Sequence, residues 1–100
     1  MSWQRTHDWW RAVREAEAAL TRDPDGDLPW HADWADLFGD RRGLLLALRY
    51  RWSLLVAAQL DPELPEHVRE RTWRDLTTRH AGLLRALDRF AEPAATRRHA

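Results

Sequence analysis

Glu17 and His80 are the two ionisable residues placed where proton chemistry could be set up. His80 falls inside an apolar stripe, with Trp73 and Leu76 before it and Leu83, Leu84 and Leu87 after it. Glu17 holds a similar place between Val13 and Leu20. An imidazole beside a carboxylate titrates near neutral pH and can take or return a proton there. Pairing the helices antiparallel brings Glu17 within half a turn of the level of His80, and Arg49 or Arg51 can join them. Two readings follow for Glu17, Arg49, Arg51 and His80: a satisfied, buried polar network that sets helix register, or a ligand site. Unpaired burial of any member would cost several kcal/mol, which favours the network.

Other chemistry finds little support. His7, His31, His67 and His80 never stand in the HxxxH or ExxH spacing that puts two ligands on one helical face, so no metal is expected. Asp23, Asp25 and Asp27 alternate as in a calcium loop, but Leu28 and Trp34 occupy the positions where such a loop needs Gly and Glu. Ser2 and Ser53 are the only serines and neither lies in a nucleophile motif; no P-loop or GxGxxG is present. Neither a catalytic residue nor a cofactor is expected, and the chain is not read as an enzyme.

Seven tryptophans in 100 residues are the most unusual feature. The same register argument brings Trp10, Trp52 and Trp73 together in one layer from three helices, which reads as core. Trp3, Trp9, Trp30 and Trp34 lie at helix ends or on a short connecting segment. They read as candidate interface residues, since tryptophan is enriched at binding hot spots. Charge adds a second cue. Residues 21–40 hold six aspartates against the single Arg22, while Arg71, Arg74, Arg85 and Arg89 form a basic ridge. An acidic segment of one protomer meeting the basic ridge of another would orient an assembly.

Sixteen basic residues balance sixteen acidic ones, so no overall field draws nucleic acid or membrane, and nucleic acid is disfavoured. Every basic residue among the sixteen is arginine, and Lys, Asn, Ile and Cys are absent. Codon bias of a G+C-rich bacterial genome accounts for that pattern, which weakens arginine count as a functional signal. Without cysteine, disulfides and thiolate sites are excluded. No apolar run approaches the roughly 20 residues a membrane span needs, and the N-terminal segment has no signal-peptide character. A cytoplasmic protein is the expectation.

The elements that must position these residues are helical. Helix A is expected from about Trp3 to Thr21 with Ser2 as N-cap, and "RDPDGDLP" stops it. Residues 29–38 form a short amphipathic helix or lid, followed by a break at Gly39 and Asp40. Helix B covers 41–60, is apolar almost all round, and is therefore expected to be the buried one. Helix C runs from about Glu66 to Ala91, in a single domain of residues 1–92 followed by a disordered tail, 93–100. The expected fold is all-α: an up-down-up three-helix bundle with a lid between the first two helices. The function read from it is association, as a homodimer or with another protein. The alternative is a small-molecule binder with a Trp-lined cavity beneath the 29–38 lid.

Overall fold

The Ser2 hydroxyl accepts the Arg5 N–H at 3.1 Å and caps the first helix, α1, Trp3–Arg22. The computed structural model describes residues 2–90. After the "DPDGD" turn, a 3-10 turn at Ala32–Trp34 leads into the single-turn helix α2, Ala35–Phe38. Gly39 follows with φ +84°, a conformation that a side chain would strain, and ends α2. Asp40 then caps α3, Arg41–Gln59, its carboxylate accepting the Gly43 N–H at 3.1 Å. Two further helices complete the chain, α4, Glu66–Arg79, and α5, Ala81–Arg89. Among the described residues there is no strand, and no helix is long and apolar enough to cross a membrane.

The expected helix C is therefore two helices. His80 leaves helical geometry at φ −109°, ψ 28°, just after the weakly helix-forming pair Thr77–Thr78. The bend lets α5 lie close on α1: the position of a Cβ on Gly82 would stand 2.4 Å from the Leu20 carbonyl oxygen. Residue 91 and the expected tail, 93–100, fall outside the described residues.

Burial centres on α1 and not on α3. Ala12, Val13, Ala16 and Leu20 of α1 pack in one cluster with Leu44, Ala47 and Leu48 of α3, Leu83 and Ala86 of α5, and Leu28 and Trp34 from the connection. The expectation that helix B is the buried one is overturned: Leu46 is 66 % exposed and Tyr50 54 %. The reason lies in the bend, because α5 packs on α1 and on the Leu44, Ala47 and Leu48 side of α3, and the opposite side of α3 is left without a cover. Leu76 is the only buried residue of α4, so that helix leaves the outer side of α3 open.

The lid is held by its own tryptophan. Trp34 is only 6 % exposed, with Trp30 and Phe38 edge-on to it at ring separations of 6.3 and 6.1 Å. The reading of Trp34 as an exposed interface anchor is corrected accordingly: its indole is buried among Trp30, Phe38 and the core cluster.

Two substitutions test this packing. Trp34→Ala should cost about 3–5 kcal/mol in urea unfolding, a large share of the roughly 5–15 kcal/mol typical of a domain. Gly82→Ala should destabilise by about 1–3 kcal/mol, although helix propensity alone would favour alanine by about 1 kcal/mol. A stabilised Gly82→Ala protein would show that α1 and α5 do not approach so closely.

Candidate functional site

The polar residues singled out on apolar faces do converge. The Arg51 Nε–H donates to Glu17 Oε1 at 2.9 Å, joining α3 to α1 in a half-buried ion pair. His80, at the junction of α4 and α5, faces the same pair, and its ring lies 6.1 Å from that of Trp52. Burial pushes the His80 imidazole below its ordinary value; the Glu17 carboxylate partly raises it, while Arg51 and Arg79 lower it. Arg49 does not join the group. It is exposed two residues before Arg51, on the other side of α3, where its carbonyl accepts the Ser53 hydroxyl at 3.1 Å. No member of the cluster is fully buried, so the network is a half-buried seam where three helical segments meet and not an interior site.

The tryptophans sort differently from the expectation. Trp52 and Trp73 meet at 5.9 Å, but Trp10 lies against Trp9 and Tyr50 instead, at 4.7 and 6.4 Å. The expected three-tryptophan core layer is therefore not formed, and Trp73 is 46 % exposed. The bend at His80 explains this, since it carries α4 and Trp73 away from α1. Trp9 and Trp30 pack on the core from its edge, with the Arg41 guanidinium 5.7 Å above the Trp30 ring. Of the four candidate interface tryptophans, Trp3 alone is fully at the surface.

The basic ridge is divided by the same bend. Arg85 pairs with Asp25 at 3.1 Å, and the Arg89 guanidinium donates to the carbonyls of Pro24 and Gly26. Acidic turn and basic helix thus meet within one chain, where charge patterning alone had suggested a contact between protomers. Arg71 and Arg74 remain exposed on α4.

An open groove of about 610 Å³ runs between α1 and the lid, past Arg5, Asp8, Arg11, Glu15, Asp33 and Asp36. Of the residues expected to line a ligand cavity, only Trp34 borders it. Its charges are largely engaged with one another or with the backbone: Arg11 lies 4.0 Å from Asp8, and Arg5 donates to the Asp36 carbonyl. Among the described residues no group of three or more His, Asp or Glu is arranged to hold a metal ion.

Residues that sequence reasoning passed over are Leu46 and Tyr50, one helical turn apart on the outer face of α3. Their signal was present but misassigned, because an all-round apolar helix reads as buried. Tyr50 touches Trp9 and Trp10 at 6.3 and 6.4 Å, which joins this face to the aromatic residues of α1. Comparison of the chain with protein-family models, curated proteins and solved structures finds no match.

The His80 cluster makes a signed prediction. Its lowered value in the folded chain means that the unfolded chain binds the proton more readily just below pH 6.5. The contribution to stability is present above that pH and is lost as pH falls through the depressed value. NMR titration should place the His80 midpoint below 6.5, and Glu17→Gln should lower it further by removing the carboxylate. An identical midpoint in both proteins would show that the Glu17 charge does not reach His80.

Proposed function

We propose that the chain is an association module that pairs with a second copy of itself through the outer face of α3. The observation that carries this reading is the exposure of Leu46 and Tyr50 on a helix whose other large apolar residues are buried or half-buried. Adjacent large apolar groups left in water favour a partner surface. Aromatic anchors such as Tyr50 concentrate binding energy, and the neighbouring Arg42 and Arg49 supply a polar rim. A two-fold arrangement would set one α3 against another, so that each Leu46 and Tyr50 meets its own counterpart region.

In this reading α1, α3 and the bent α4–α5 arm act as an up-down-up bundle that holds the face rigid, with residues 29–38 closing one end. The internal pairing of Arg85 and Arg89 with the 23–27 turn supports an apolar rather than a charge-directed interface. A cytoplasmic setting in a bacterial cell belongs to the same proposal.

Light scattering coupled to gel filtration tests it. The wild-type chain should run at twice its 11.8 kDa mass. Leu46→Asp, an exposed position that leaves the helical circular dichroism intact, should weaken self-association by about thirtyfold or more, the scale of a hot-spot loss of ~2 kcal/mol. A wild-type protein of single-chain mass at every concentration would overturn the proposal.

A further inference from the structure

One face of α1 carries Trp3, Thr6, His7, Trp10 and Arg14, and Arg51 of α3 closes its lower end. Together they line an open pocket of about 380 Å³, room for a molecule of one or two rings. Its lining holds two indoles, two guanidiniums, an imidazole and a hydroxyl, and no carboxylate. That composition is pronounced in a chain where acidic and basic residues are equal in number.

The two guanidiniums of this pocket have N–H groups to spare for a ligand, while the Thr6 hydroxyl already donates to the Ser2 carbonyl. Arg14 is exposed and forms no ion pair with any described residue. Glu17 takes only the Nε–H of Arg51, and the terminal nitrogens of that guanidinium make no hydrogen bond among the described residues. The Trp3 and His7 rings stack with centroids 5.3 Å apart, which holds the imidazole beside the indole. His7 Nδ1 lies 3.2 Å from the Arg11 guanidinium, a group that can only donate. With Nδ1 as the acceptor, the neutral ring carries its proton on Nε2. Charged donors bind carboxylate or sulfonate oxygens more strongly than neutral ones do, and indole faces receive flat rings.

We infer that this pocket binds a planar aromatic anion of low molecular mass, its ring against Trp3 and Trp10 and its acid group on Arg14 and Arg51. The site is separate from Leu46 and does not rest on self-association. Trp10 is shared by both surfaces only through its contact with Tyr50.

The test uses 2-naphthoate as probe and 2-naphthalenemethanol as its uncharged counterpart. Both are titrated into the full chain while the indole N–H signals are followed by NMR. Saturable shifts confined to Trp3 and Trp10 are expected with naphthoate, with the alcohol binding at least about tenfold more weakly. Arg14→Gln, at an exposed position, should bring naphthoate down to the level of the alcohol, and added salt should weaken naphthoate alone. Equal binding of the two probes overturns the inference, as does the absence of saturable shifts at Trp3 and Trp10 up to the solubility limit. The same titrations on Leu46→Asp separate the two proposals, since the pocket must keep its affinity whether or not the chain pairs.

Discussion

The close approach of α5 to α1 is the contact on which the rest of the arrangement depends. It is possible because Gly82 has no side chain where the Leu20 carbonyl stands, and because Ala12, Ala16 and Ala86 keep the buried cluster thin. Small residues let two helix backbones come near enough for Val13, Leu20 and Leu83 to be sealed from water. For α5 to reach that position the chain must leave α4 at an angle, and His80 is where it does so. The exposure of Leu46, Tyr50 and Trp73 follows from this one geometric requirement, since α5 meets α1 and only the Leu44, Ala47 and Leu48 side of α3, and leaves the opposite side without a cover.

Electrostatics then reinforces the contact without supplying most of its stability. Arg85 and Arg89 grip the turn at residues 23–27 just after α1, which ties the end of α5 to the end of α1. An exposed ion pair such as Arg85–Asp25 contributes about 0–1 kcal/mol, so its role, with the Arg89 hydrogen bonds to the Pro24 and Gly26 carbonyls, is to orient. The Glu17–Arg51 pair does the equivalent for α3, and places a titratable histidine beside the three-way junction. Burial of the apolar cluster, closed at one end by Trp34, carries the larger share of the stability.

The tryptophans illustrate how one residue type takes several roles in a small chain. Trp34 is a plug, Trp9 and Trp30 border the core, Trp52 meets a half-exposed Trp73, and Trp3 stands in water beside His7. An indole is too large for more than a few to be enclosed by helices of this length. Those left at the surface form the walls of the pocket on α1 and the margin of the α3 face, which is where both proposed binding properties lie.

The positions of α1 and α3 and the start of α4 were legible in the sequence because they depend on local features: Ser2 and Asp40 as caps, Gly39 as a stop, and the prolines of the two connections; the division of the last helix at His80 was not. The inward stripe of α1 was legible in the same way, since periodicity acts within one helix. The convergence of Glu17, Arg51 and His80 was also readable, because chain order and short turns limit which levels can meet. Which apolar face is left without a cover was not. The pattern of α3 states that all its sides are apolar; only the path of the following arm decides which side faces water. That path depends on a break at His80 and a backbone contact at Gly82, both set by the fit between distant segments. Local propensity determined the helices of this protein, and the meeting of α1 with α5 decided which of their surfaces remain available.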